Sequence, residues 1–185
     1  MKDAVAVDLV SLGLCERDFS LAEQGLQAMP ATGGNEEAFV FPRAWYAGLI
    51  ARSKGDGGRA RKEFTSARST VEKIVEEQPN YAQAVSVLAM IDAALGERDR
   101  AIAGGVRATE LLSVEKDAIN GPLIAGHLAV TYAWCGENDR AVAQLSRLIA
   151  IPGDINFGRL QLEPRWDVLR NDPQFQRLLG ALAPK

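Results

Sequence analysis

Apolar and polar residues recur along most of the chain at intervals of three or four positions, which is the spacing of an amphipathic helix. Glycine, proline and asparagine interrupt these segments and mark the turns between helices. Two helices separated by such a turn form a pair, and the pairs follow one another. We expect helices at about residues 3–14, 19–29, 37–53, 58–77, 81–95, 98–111, 121–135 and 138–150.

The turns themselves are repeated. In residues 55–60, 96–101 and 136–141 a glycine is followed by an acidic residue, and Arg-Ala stands four and five positions after the glycine. A weaker copy, residues 15–18, precedes Gly55 by a similar interval. A period of about forty residues built from helix pairs is typical of an α-solenoid, in which each repeat buries its apolar face against a neighbour. The pattern predicts an all-α fold with repeats at about 3–29, 37–78, 81–112 and 118–151.

Small residues occur where the two helices of a pair are expected to cross. Ala60, Ala101 and Ala141 each stand five positions after a turn glycine, so we expect them to be buried. Gly104 and Gly105 lie inside a predicted helix, where each costs about 1 kcal/mol relative to alanine. We therefore expect a large side chain to pack closely there.

The same small residues carry a resemblance to a known family. Eight and seven positions before the turn glycines stand Ala47/Gly48, Leu88/Ala89 and Leu128/Ala129. Together with the alanines after the glycine, this pattern over residues 40–150 resembles the tetratricopeptide repeat. The resemblance implies a right-handed α-solenoid of antiparallel helix pairs, with four repeats in residues 1–153, that serves as a protein–protein interaction scaffold.

Residues 154–185 show no repeat and are expected to form a C-terminal capping segment and helix. Asp172 is a favourable N-cap with Pro173 at the first helical position. We expect Trp166 to be buried where this tail docks on the last repeat. Residues 160–175 are similar to the end of tetratricopeptide regions attached to bacterial serine/threonine kinases, nucleotide cyclases and transmembrane winged-helix regulators. The apolar stripe of the last helix consists of Phe175, Leu178, Leu179 and Leu182.

One face of each first helix points away from its partner helix and is mostly apolar. In tetratricopeptide proteins this face is the concave wall that contacts the ligand. Since a helix that is apolar all round is normally buried, either a partner segment or the chain's own tail must cover this wall. We expect the tail to cover the fourth repeat, and both alternatives stay open for the second and third. The candidate groove residues are Tyr46, Leu49, Arg52, Ser53, Val87, Met90, His127, Val130 and Trp134.

The charge and hydropathy of the chain limit the classes of partner that it is expected to bind. A formal net charge of −3 provides no general attraction for nucleic acid. A local basic cluster in residues 52–62 suits either an acidic or phosphorylated partner or a solvated turn. No apolar run approaches the ~20 residues that span a bilayer, so no membrane insertion is expected. A cytoplasmic location is the expectation, with an extracytoplasmic one as the alternative if a transmembrane segment lies upstream.

Residues for catalysis or metal binding are sparse. Cys15 and Cys135 fall at turns of different repeats, so we expect neither a disulfide nor a metal site. His127 is the only histidine, and its own helical face carries no cysteine or carboxylate. The sequence has no glycine-rich phosphate loop, no nucleophile motif and no suitably spaced carboxylate pair. We predict no enzyme activity and no cofactor.

The predicted function is a scaffold that binds a peptide or protein segment in the apolar groove. The alternative is a regulatory or sensor region of a larger bacterial signalling protein whose catalytic or DNA-binding part lies upstream. The first helix is apolar on several sides, with Val5 and Leu9 among its apolar residues. We expect upstream sequence or a second copy across a two-fold axis, forming a homodimer, to cover this end.

Overall fold

Helices account for nearly all of the regular structure in the computed structural model, which describes residues 2–36, 39–151 and 155–184. Within those residues a short antiparallel hairpin is the one exception, and the all-α prediction is otherwise confirmed. The elements are α1 (Lys2–Glu16), α2 (Phe19–Ala28), β1 (Gly34–Glu36), β2 (Phe39–Phe41), α3 (Arg43–Ser53), α4 (Gly57–Glu77), α5 (Ala82–Leu95), α6 (Arg98–Leu111), α7 (Asn120–Trp134), α8 (Asn138–Leu148), α9 (Phe157–Leu162), a 3-10 helix (Pro164–Leu169) and α10 (Pro173–Leu182).

Two predicted boundaries lie outside the described residues. These are residues 37 and 38, where the third helix was expected to begin, and residues 153 and 154, where the repeats were expected to end. In the described part of the chain, no helix combines the length and the apolar character needed to cross a bilayer.

The repeated turn consists of a left-handed residue followed by a helix N-cap. Gly55, Gly96 and Gly136 have φ angles of 77°, 84° and 78°. Glycine adopts this left-handed conformation without strain because it has no Cβ atom. The acidic residue that follows is the N-cap residue of the next helix, although the side chains of Glu97 and Glu137 make no capping hydrogen bond. In the second repeat, Asp56 Oδ1 accepts a hydrogen bond from Arg59 N at 2.9 Å. One residue therefore ends a helix and its neighbour begins the next.

The first repeat uses the same turn without glycine, and its predicted alignment is wrong by two residues. Arg17, not Cys15, takes the left-handed conformation, with φ 60°. Asp18 then caps α2 by accepting hydrogen bonds from Ser20 N and Leu21 N, both at 3.0 Å. Ala22, five positions after Arg17, is fully buried and occupies the place of the other crossing alanines. The error arose because α1 continues to Glu16 and no glycine marks its end.

Consecutive helices pack as pairs, α1 with α2, α3 with α4, α5 with α6 and α7 with α8, and neighbouring pairs contact each other. Ala60, Ala101 and Ala141 are buried, which confirms the predicted crossings. The side chain expected against Gly105 is Leu128 of α7. A Cβ atom at Gly105 would lie 2.8 Å from Leu128 Cδ1, which explains why a helix interior carries glycine there.

The hairpin replaces the start of the third predicted helix. Gly34 pairs with Phe41 and Glu36 with Phe39, and α3 begins only at Arg43. The prediction of helix over 37–53 is therefore wrong for residues 39–42. Phe39 and Phe41 are buried while Val40 between them is exposed, which is the alternation of a strand with one covered face. Pro42 lacks an N–H group, so it ends the strand and leads into the helix.

The tail docks on the last helix pair, as predicted. The 3-10 helix contacts α7, and α10 contacts α8. Trp166 is buried with only 2% of its surface exposed, and Phe175 is fully buried. Asp172 caps α10 by accepting hydrogen bonds from Gln174 N at 2.8 Å and Phe175 N at 3.2 Å.

The first turn of the chain also meets the tail. Arg17 Nη2 lies 2.8 Å from Asp167 Oδ1 of the 3-10 helix, so an ion pair joins residues 150 positions apart. Val5 and Leu12 stay exposed on α1, whereas Val7, Val10 and Leu14 are buried. Association of two copies through this end stays a prediction.

Candidate functional site

A cavity of about 1040 Å³ lies between the two ends of the chain. Its walls come from α1, β2, α3, α7 and the segment from Ile155 to Val168 that contains α9 and the 3-10 helix. The ion pair between Arg17 and Asp167 joins the first and last of these walls. Elements distant in sequence therefore enclose one space.

Aromatic rings form a continuous surface on one side of this cavity. The ring centroids of Phe41 and Trp45 are 5.5 Å apart, and those of Trp45 and Trp134 are 5.9 Å apart. Phe64 of α4 packs behind them, 5.6 Å from Trp45. Trp134 Nε1 donates a hydrogen bond to Arg165 O at 2.9 Å, which ties α7 to the tail. The protein contains three tryptophans, Trp45, Trp134 and Trp166, and all of them line the cavity.

His127 is a neutral wall residue. Its Nδ1 atom lies 2.9 Å from Ser86 Oγ, and its ring packs edge-on against Phe39 at 4.8 Å. Ser86 Oγ donates its proton to Gln83 O, so the hydroxyl oxygen accepts the hydrogen bond from His127 Nδ1–H. Burial, and to a lesser extent the charge of Arg165, lowers the pKa of His127 to about 3. The imidazole is uncharged at neutral pH and packs as part of the wall.

Arg52 is a cation held against the aromatic surface. Its guanidinium carbon lies 4.4 Å from the centroid of the Trp134 ring, a cation–π contact. Burial lowers the pKa of this guanidinium below its usual value, and the Asp167 carboxylate partly counteracts that effect. Within the described residues, Arg52 makes no side-chain hydrogen bond or ion pair.

The mouth of the cavity carries exposed apolar side chains beside the polar side chains of Asp8, Ser11 and Asp167. Leu12 of α1, Ile119 just before α7, Leu162 of α9 and Val168 of the 3-10 helix all line the cavity and remain exposed, Ile119 to 72%. Only two other large apolar side chains in the described chain, Val5 and Val40, are similarly exposed. Exposed apolar surface is thus concentrated at this opening.

The structure brings most of the predicted groove residues together. Those that line the cavity are Tyr46, Leu49, Arg52, Ser53, His127, Val130 and Trp134. The prediction for Val87 and Met90 is wrong, because both side chains are completely buried in the core. Their helix, α5, contacts α4, α6, α7 and strand β2, which leaves no open face.

The tail contacts the fourth repeat, as expected. On the third repeat, strand β2 takes the place of the two alternatives that the sequence left open, the tail and a partner segment. Sequence reasoning missed Phe39 and Phe41, although their alternation with Val40 before a proline was a signal for a strand. It also missed α1 and Ile119, whose positions depend on long-range packing.

The basic cluster predicted at residues 52–62 is divided between two surroundings. Arg59 Nη1 lies 2.9 Å and Lys54 Nζ 3.7 Å from Glu23 Oε1 of α2, so these two cations are paired within the chain. Arg52 instead lines the cavity. Arg61 and Lys62 are exposed, and Arg61 lines a smaller pocket together with Arg52.

Within residues 2–36, 39–151 and 155–184, no three histidine, cysteine, aspartate or glutamate side chains are grouped to hold a metal ion. Comparison with family models, with curated proteins and with solved structures finds no match to this chain. The function is therefore inferred from the cavity itself.

Proposed function

We propose that this protein is an interaction module that binds a short segment of another protein in the central cavity. The observation that carries the proposal is the apolar mouth formed by Leu12, Ile119, Leu162 and Val168. Exposed apolar side chains that are grouped in one patch often mark a binding surface, whereas apolar side chains scattered singly over the surface do not. Complete burial of an apolar side chain of this size contributes roughly 1.5–3 kcal/mol, from which the cost of association is subtracted.

The proposed framework is a right-handed α-solenoid of four tetratricopeptide-like helix pairs with a C-terminal cap. Three features support it: the same left-handed turn in every pair, a buried alanine five positions later, and contacts between successive pairs. In this framework α3 and α7 contribute the ligand-facing wall. The hairpin β1–β2 is an insertion that narrows this wall to one cavity.

A second candidate is a sensor region of a larger bacterial signalling protein whose catalytic or DNA-binding part lies upstream. The size of the cavity favours this alternative, because pockets for small ligands measure about 300–1,000 Å³. A small molecule would then fill the space that the first proposal assigns to side chains of a partner. The exposed apolar mouth favours the protein segment, since a small ligand enclosed in the cavity leaves the mouth uncovered.

The test uses peptides selected from a random display library and a variant that fills the cavity. Gly126 lines the cavity, and a Cβ atom there would meet only Ile155 Cδ1, at 4.0 Å. The Cβ atom of Gly126→Leu therefore fits without a clash, and we expect the isobutyl group to occupy part of the cavity. The control, Gly180→Leu, adds the same group at a helical glycine of α10 that has nothing within 4 Å.

We expect selected peptides to bind the parent and Gly180→Leu equally, and Gly126→Leu at least tenfold more weakly by calorimetry. Thermal unfolding of both variants should match the parent or exceed it, since leucine is a better helix former than glycine. A selection that yields no peptide above background, or peptides that bind Gly126→Leu as well as the parent, would refute the proposal.

A further inference from the structure

The charges that line the cavity are almost all neutralised within the chain. Glu163 accepts a hydrogen bond from Arg165 at 2.9 Å and lies 3.6 Å from Arg159. Asp167 is held at 2.8 Å by both Arg17 and Arg170. Asp8 is an exposed carboxylate of α1.

Arg52 differs from these residues. It is partly buried, and no carboxylate in the described chain lies within ion-pair distance of it. The nearest carboxylate that influences it, Asp167, is already occupied by two other arginines. The cavity wall therefore contains a guanidinium without a counter-ion.

The position of Arg52 over Trp134 leaves its hydrogen-bonding capacity unused. The contact with the ring uses the charge of the guanidinium and none of its N–H donors, and no described residue accepts a hydrogen bond from them. These donors match the two oxygens of a carboxylate, which arginine binds in a bidentate geometry. Desolvation at this site also strengthens the attraction between opposite charges relative to water.

We propose that the segment bound in the cavity carries an aspartate or glutamate side chain that pairs with Arg52, flanked by apolar side chains that cover the mouth. This inference rests on the proposed function. The carboxylate belongs to an internal residue, because the apolar residues of the mouth lie on α1, before α7 and on the tail. A segment that crosses the mouth contacts them on both sides of its acidic residue.

The experiment is a display selection in which each random peptide is fused to the coat protein through its C-terminus, so that no free C-terminal carboxylate is present. Three targets are used: the parent, Arg52→Gln and Arg147→Gln. Arg147 is the matched control because it is an exposed arginine of α8 outside the cavity. We expect one acidic position among apolar residues in peptides selected by the parent and by Arg147→Gln, and no acidic preference with Arg52→Gln.

A second measurement needs no change in the protein. Replacing the acidic residue of a selected peptide by its amide should weaken binding to the parent by about tenfold or more, because the guanidinium is again left unpaired. The same replacement should change binding to Arg52→Gln by less than threefold. Comparing the loss of affinity for the parent with the loss for Arg52→Gln gives the interaction free energy between Arg52 and the acidic residue of the peptide.

The outcomes separate this inference from the function on which it rests. Apolar peptides without an acidic preference, or an amide peptide that binds the parent equally well, would overturn the role of Arg52 and leave the binding function standing. Failure to select any peptide would overturn both. An acidic preference that persists with Arg52→Gln would assign the carboxylate to another cation.

Discussion

Two ionisable side chains in the cavity wall respond to burial in different ways. His127 gives up its charge, since it packs against the rings of Phe39 and Phe41 and its hydrogen-bond partner is a neutral hydroxyl. Arg52 keeps its charge near neutral pH. Its guanidinium contacts the Trp134 ring, and an anion would neutralise the charge that remains. The same apolar surroundings thus make one residue a packing element and the other a candidate binding residue.

The neutral state of His127 makes stability depend on pH. Its pKa is about 3 in the folded chain and 6.5 for the unperturbed side chain. Between these values the unfolded chain binds more protons, so the free energy of unfolding falls as the pH falls below 6.5. This residue should cost about 2 kcal/mol of stability between pH 7 and pH 5.

Denaturant unfolding at pH 7, 6 and 5 measures this loss. The matched variant is His127→Asn, whose amide can still donate a hydrogen bond to Ser86 but does not titrate. We expect the variant to lose clearly less stability than the parent over the same range. If the free energy of unfolding falls equally in the two proteins between pH 7 and pH 5, His127 is not the group that causes the loss of stability.

At the scale of secondary-structure elements, the helices were predictable because their signals are local. The turn glycines, the N-caps and the spacing of apolar residues lie within a few positions of each other, and α6 was predicted with its observed limits. The turn at Arg17 was not predicted at its correct position, because a non-glycine residue takes the left-handed conformation there. The hairpin escaped because three-residue strands depend on the partner strand and on the face of α5 that they cover.

The candidate site was predictable only in part for the same reason. Helical spacing identified the wall residues of α3 and α7, since those faces follow from the positions of their partner helices. It could not show that β2 packs on α5, or that α1 and the tail complete the cavity. Those features depend on contacts between segments far apart in the sequence.

The helix crossings provide a direct test of the repeat alignment. Ala101 of α6 is fully buried, and replacing it by leucine should overpack the contact and lower the free energy of unfolding by roughly 1–3 kcal/mol. Ala103 is exposed on the same helix, so Ala103→Leu is the control and should stay within about 0.5 kcal/mol of the parent. Equal denaturation midpoints for the two variants would count against the crossing at Ala101.

At the scale of the whole molecule, the cavity exists because the two ends of the chain meet. The Arg17–Asp167 ion pair is half-exposed and contributes little energy by itself. Docking of the tail through Trp166, Leu169 and Phe175 is the larger contribution, because these side chains are buried. The tail therefore both packs on the last helix pair and forms one wall of the cavity.

The central claim is that a ligand segment occupies this cavity, and all three tryptophans report on it because they line its wall. The decisive measurement is tryptophan emission during titration with a selected peptide that carries a nitroxide at one apolar position. The same peptide with the nitroxide reduced is the control. We predict strong quenching of the parent by the nitroxide peptide and none by the reduced peptide. Binding detected by calorimetry without any nitroxide-dependent quenching would place the ligand elsewhere and contradict the account.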